Sequence, residues 1–199
     1  MGHAPDPTPA TRWPVFALAL VAVGAALAFT PRASAALEFV RARLLAGELW
    51  RLLTGHLVHA SPGLAWTDLV VLLFLGAWWE RRSRAALGWI LLASALGASV
   101  ALLACTSFER YTGSSALGSG LFVAAALVLV LERRAALRLA GGLALALFAA
   151  KCALEASGMG VHFVSLPAGS EVAASAHAAG GAGGALVALV RCARSPRRA

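Results

Sequence analysis

Charge is scarce in this chain. Only 13% of its 199 residues are charged, and acidic residues number nine. A soluble globular domain carries about 25% charged residues, so a water-soluble fold is excluded. With so little polar surface, the +8 net charge is not expected to serve nucleic-acid binding; it sets orientation and meets anionic lipid head groups. Cysteine is as sparse. Cys105, Cys152 and Cys192 fall on different predicted segments, with no CxxC or Cys/His spacing. That excludes a zinc site or a disulfide framework and leaves three buried thiols as the expectation. No metal or cofactor is expected, and no internal repeat or low-complexity linker is present.

What is abundant is hydrocarbon, at 60% of residues. Apolar runs bounded by charges give six candidate helices, at 14–30, 64–79, 86–105, 115–131, 137–154 and 173–190. Each approaches the ~20 residues needed to cross a ~30 Å hydrocarbon core. The expectation is an all-α membrane protein with one membrane domain over 14–190. A cytoplasmic N-terminus (1–13) and a basic cytoplasmic tail (191–199) flank it. Residues 36–60, ALEFVRARLLAGELWRLLTGHLVHA, alternate arginines with leucines and tryptophan at helical spacing, which predicts a helix lying in the interface between the first two spans. The first run, followed by Ala33-Ser34-Ala35, also resembles a cleavable secretory signal. The Pro31-Arg32 pair just before that site and the length of the run favour a retained span.

Arginine placement orients the bundle. With the N-terminus inside, eleven of the lysines and arginines fall on the cytoplasmic side and six outside, which favours N-in and C-in.

Only five histidines exist, and His177 lies inside a predicted span. An ionisable group there is costly and is a functional hypothesis by default. His177 stands 14 residues before Arg191, and Ser115 stands 18 before Arg133. At the rise of a helix these are roughly 21 and 27 Å above the cytoplasmic charges, both in the outer half of the core. Gly180, Gly181 and Gly184 share the face of His177; Gly118 and Ser119 share that of Ser115. Two smooth faces permit close approach in lipid and bring a hydroxyl within reach of an imidazole, the arrangement by which a base activates a nucleophile. A glycine-lined helix pair with a satisfied histidine is the competing account. Ser114 and Ser119 are rival hydroxyls.

These features resemble the rhomboid family of intramembrane serine proteases. Gly113-Ser114-Ser115 is similar to the family's Gly-x-Ser at the start of the fourth helix. Ala176-His177 with Gly180 and Gly184 is similar to its sixth-helix histidine and small-residue stripe. Trp50-Arg51 is similar to the Trp-Arg pair of its first loop. The stretch GELWRLLTGHLVHAS at 47–61, with Glu80 closing LGAWWE, looks like the bacterial rhombosortase subgroup. The resemblance implies a six-helix rhomboid-like bundle in a bacterial inner membrane. It further implies a Ser115–His177 dyad toward the outer side, and membrane-anchored substrates carrying a C-terminal Gly-Gly segment, a membrane helix and a basic tail.

Departures fall on the oxyanion site. Ala116 follows the serine in place of glycine, and Ser119 replaces a ring one turn later. Leu64 and Asp68 occupy the positions where the family's second helix carries His and Asn. Oxyanion support is therefore expected from backbone N–H groups between Gly113 and Ala116, with His56, His59 or a protonated Asp68 as further donors. No carboxylate is placed by the sequence to orient His177. Lys151, Glu155 and the loop SGMGVHFVSLPAGSEV (157–172) are expected on the outer side, the loop as a lid with His162 solvated. An inactive rhomboid-like protein that binds transmembrane helices is the alternative function. A transporter is disfavoured by the lack of intramembrane charges.

Overall fold

The computed structural model describes residues 13–159 and 173–194. Residues 1–12, the greater part of the expected lid with His162, and the tail from 195 lie outside the described residues. The described chain runs α1 (Val15–Ala28), α2 (Pro31–Leu37), β1 (Phe39–Val40), α3 (Arg41–Leu45), α4 (Arg51–Thr54), α5 (Pro62–Arg82), α6 (Arg84–Cys105), β2 (Arg110–Tyr111), α7 (Ser115–Val130), α8 (Ala135–Ala156) and α9 (Ala174–Arg194). It is helical apart from one two-residue antiparallel ribbon that pairs Phe39 with Tyr111.

Four of the expected spans, α5, α6, α8 and α9, are long and apolar enough to cross a membrane. The protein is thus a multi-pass membrane protein. The first run gives only the 14 residues of α1, after which the chain bends at Phe29–Thr30, so that α1 and α2 meet at 113°. A residue before proline disfavours helical geometry, and Pro31 then opens α2 at its first position. The fourth run gives the 16 residues of α7, about 24 Å, and Gly113 (φ +128°) turns the chain just ahead of it.

That short helix is the centre of the molecule. Every residue from Ala116 to Leu121 is buried, as expected for a helix that is apolar all round. Helix α9 lies against it through glycine. A Cβ on Gly180 would stand 2.3 Å from the Ala116 carbonyl oxygen, and one on Gly184 2.0 Å from that of Gly120. Gly118 faces Val71 of α5, and Gly120 takes the position against α9. Helix α8 is peripheral, and Gly141 is its one buried residue.

Residues 36–60 do not form the single interfacial helix that their periodicity predicts. They fold into short helical turns and a strand, because Arg41 and Arg51 turn inward to satisfy carbonyls. Arg41 donates to the carbonyls of Leu102 (2.6 Å), Leu103 (2.9 Å), Thr106 (2.7 Å) and Phe108 (3.2 Å). The first two are orphan acceptors at the C-terminal end of α6, where a cation also complements the helix dipole. Arg51, 2% exposed, donates to the Glu38 carbonyl (2.6 Å) and to the Glu48 carboxylate (2.6 Å). Arg110 pairs with Glu38, which tethers the ribbon.

At the other end of the bundle Glu80 of α5 is buried, and its carboxylate accepts the amides of Phe16 (3.2 Å) and Ala17 (2.9 Å). It therefore caps the N-terminus of α1 from another helix, with Arg84 at 3.2 Å on the same carboxylate. Glu80→Ala strands two amides and is expected to lower stability by about 1–3 kcal/mol. Thermal unfolding in detergent checks this, and limited proteolysis shows whether α1 is the part released. The cysteines correct an expectation: Cys105 and Cys192 are exposed and Cys152 is half-buried, so they lie on outward-facing helix surfaces rather than in the core.

Candidate functional site

The site forms where α7 begins. Gly113 reverses the chain out of β2, and Ser114 hands over to α7, whose first helical bond runs from the Gly118 amide to the Ser114 carbonyl. The amides just before Gly118 have no partner within the helix. Ser115, the first residue of α7, is half-buried and therefore accessible.

The Ser115 hydroxyl lies 2.8 Å from Nε2 of His177 on α9. The other imidazole nitrogen, Nδ1, lies 2.8 Å from Oε2 of Glu155 and 3.0 Å from Nζ of Lys151, both on α8. Lys151 also donates to Glu155 Oε1 at 2.6 Å. Three consecutive helices thus meet at one imidazole. The sequence placed Lys151 and Glu155 only on the outer side and offered no carboxylate for His177. The available signal was their i, i+4 spacing on an otherwise apolar helix, since charge inside a membrane segment is costly without a partner.

A second serine and histidine pair lies beside the first. Ser114, 1% exposed, has its hydroxyl 3.1 Å from Nε2 of His59. Asp68 of α5 accepts the Ser114 amide at 2.9 Å and stands 3.5 Å from the same His59 nitrogen. The two clusters differ in connectivity. Around His177 the hydroxyl and the carboxylate take opposite nitrogens, so a proton can arrive on one while the other is held. Around His59 both crowd Nε2, and Nδ1 is buried without a partner. Asp68, expected as an oxyanion donor if protonated, instead consumes one backbone donor. Ser119 is buried and makes no contact with either histidine among the described hydrogen bonds.

His56, also expected among the oxyanion donors, turns one nitrogen toward α6 and also lies beside the Gly113 backbone. Its Nε2 is 3.1 Å from both the Ala95 carbonyl and the Ser99 hydroxyl of α6, and its ring meets Tyr111 edge-on at 5.3 Å. Burial pushes its pKa down to about 4, only partly offset by the backbone of Ala95 and Gly113. An ordinary histidine of the unfolded chain titrates near 6.5. The folded state therefore binds this proton less readily, and its stability falls as pH drops from 6.5 to about 4, by roughly 3 kcal/mol, and is level below. Melting temperatures across that range check this; a His56→Gln variant is expected to show a flatter profile than wild type.

Tyr111 had no place in the sequence reading. Its hydroxyl donates to the Gly113 carbonyl at 3.1 Å and contacts the Ser115 side chain and the Ala116 amide. Burial raises its pKa further above the ordinary phenol value, so it stays a neutral hydrogen-bond donor at the foot of the site. Its location follows from its pairing with Phe39 across the ribbon, a contact 72 residues apart in the chain.

The described residues contain no cluster of His, Cys, Asp and Glu that could hold a metal ion. The arrangement supplies a hydroxyl beside an imidazole and helix-terminal amides, groups that an acyl-transfer site can use. Searches of curated proteins and of solved structures give no match. The family model for the Rhomboid domain matches residues 46–194, about three quarters of the chain and every element of the site. The chain belongs to the rhomboid family.

Proposed function

We propose that the protein is an intramembrane serine endopeptidase in which Ser115 is the nucleophile and His177 the general base. The observation that carries this reading is the 2.8 Å contact between Ser115 Oγ and His177 Nε2. As Oγ attacks the scissile carbonyl, its proton passes to Nε2; the imidazolium then returns it to the leaving amine, and water releases the acyl-enzyme by the same route. Negative charge on the tetrahedral oxygen falls to the amides at the start of α7, Ser115 and Ala116, in the bend set by Gly113. Ala116 is in contact with the Tyr111 hydroxyl, which must give way or share. His59 is a further side-chain donor beside that bend, through Ser114.

The substrates proposed are proteins anchored by one membrane helix, cut near the outer face. The residues shared with the rhombosortase stretch favour those with a C-terminal Gly-Gly segment. In this reading the chain spans a bacterial inner membrane six times, N-in and C-in, with α1 and the short α7 completing the set. The shortness of α7 fits that role, because its serine end stops below the outer surface, where water can descend to it.

Purified protein incubated with a Gly-Gly-tailed membrane substrate tests the proposal. Cleavage by wild type and its loss in Ser115→Ala support it. Cleavage retained by Ser115→Ala refutes the nucleophile. Binding of the substrate helix without cleavage by wild type favours the alternative, a rhomboid-like protein that recognises membrane helices without cutting them.

A further inference from the structure

We infer that Glu155 and Lys151 form a charge pair that positions and tunes His177, so that the end of α8 is part of the machinery that makes Ser115 nucleophilic. The inference rests on the proposed roles of Ser115 and His177 and adds a function for a third helix. Among the described residues, the charged and polar groups facing the imidazole are Ser115 from α7 and Lys151 and Glu155 from α8.

Glu155 settles which nitrogen carries the proton. An ionised carboxylate only accepts, so with Oε2 at 2.8 Å the Nδ1 atom must donate. Nε2 is then bare and faces the Ser115 hydroxyl, the tautomer a general base requires. Lys151 works against this at Nδ1, where an ammonium offers only donors. With the carboxylate removed, Lys151 at 3.0 Å becomes the partner of Nδ1. The proton then moves to Nε2, and the imidazole points N–H at the serine. The carboxylate is what keeps the base in its working form.

The pair also sets charge. When Nε2 takes the serine proton, the imidazolium meets an anion and a cation at once. Glu155 stabilises it and Lys151 opposes it, while the 2.6 Å contact between them pins the carboxylate in place. Side chains of Glu155 and His177 are little exposed, at 6% and 11%, so screening by water is limited. Because α8 is otherwise peripheral, with Gly141 its one buried residue, this polar contact is a principal tie between its outer end and the bundle. A displacement of α8 therefore removes the carboxylate from the base and silences Ser115.

The test reads the serine directly, without a substrate. A fluorophosphonate probe is attacked by Ser115 Oγ: the new bond forms to phosphorus, the P–F bond breaks, fluoride leaves, and the hydroxyl proton passes to His177. Rates of labelling of the full chain in detergent are measured from pH 5 to 9 for wild type, Ser115→Ala, Glu155→Gln and Lys151→Met. Glu155→Gln is expected to label roughly 100-fold more slowly, with the acidic limb of its profile moved to lower pH. Lys151→Met is expected to move that limb to higher pH. Opposite shifts distinguish charge tuning from a general loss of structure, and Lys151→Met decides the matter if Glu155→Gln does not fold. Unmoved limbs in Lys151→Met, or wild-type rates in both variants with Ser115→Ala unlabelled, overturn the inference alone. Labelling of Ser115→Ala at the wild-type rate instead overturns the nucleophile on which it rests.

Discussion

Ser115→Ala is expected to lower cleavage of a membrane-anchored substrate by roughly 10⁴-fold or more, whereas Ser114→Ala lowers it by no more than about tenfold. Both serines stand about 3 Å from a histidine nitrogen, so distance alone does not separate them. Access and connectivity do. Ser115 is half-buried at the mouth of the site, while Ser114 is 1% exposed and held by His59. The imidazole beside Ser115 has its second nitrogen held by a carboxylate; the one beside Ser114 has its second nitrogen without a partner. His177→Ala should lose as much as Ser115→Ala, and the double variant no more than either, because residues that act as one unit are not additive. Initial rates of product release, followed by gel shift or mass spectrometry, check all four proteins. A Ser114→Ala variant as inactive as Ser115→Ala would move the nucleophile to the other cluster.

A single methyl group on α9 should have the second-largest effect. Gly180→Ala places a Cβ 2.3 Å from the Ala116 carbonyl oxygen, and Gly184→Ala places one 2.0 Å from that of Gly120. Both obstacles are backbone, which cannot rotate aside, so α9 must retreat by about 1 Å to reach ordinary van der Waals separation. Ser115 immediately precedes Ala116, and His177 lies one turn before Gly180, so the retreat is spent on the contact between hydroxyl and imidazole. A misplacement of that size costs about 100-fold in rate, and overpacking typically costs a further 1–3 kcal/mol of stability. Gly142→Ala on α8, where an added Cβ meets nothing within 4 Å, is the control and should behave as wild type. Cleavage rate and melting temperature of the three variants report both effects. Full activity in Gly180→Ala would mean that α9 is free to shift without carrying His177 away.

How far the molecule could be foreseen depends on which signals repeat along the chain. Composition and the long apolar runs follow from solvent alone, because hydrocarbon admits few charges and demands helices. They led to an all-helical membrane protein and located α5, α6, α8 and α9 to within a few residues at most ends. Ser115 and His177 were legible for a related reason. A histidine inside an apolar segment is conspicuous, and glycines at three- and four-residue spacing mark a face that allows close approach. Side-chain partners obey no such period. Arg41 and Arg51 looked like interfacial charges, yet one caps a helix 61 residues away and the other is buried in its own loop.

The sequence by itself thus determined the solvent, the helical class and the two helices that carry a hydroxyl and an imidazole to similar depth. Tertiary structure alone decided that Glu155 and Lys151 reach the far side of that imidazole, that Asp68 takes the Ser114 amide, and that Glu80 caps α1. The physical reason is common to all of these. Each is one polar contact between different elements, selected by where packed helices leave an unsatisfied donor or acceptor, and a linear pattern does not record that address.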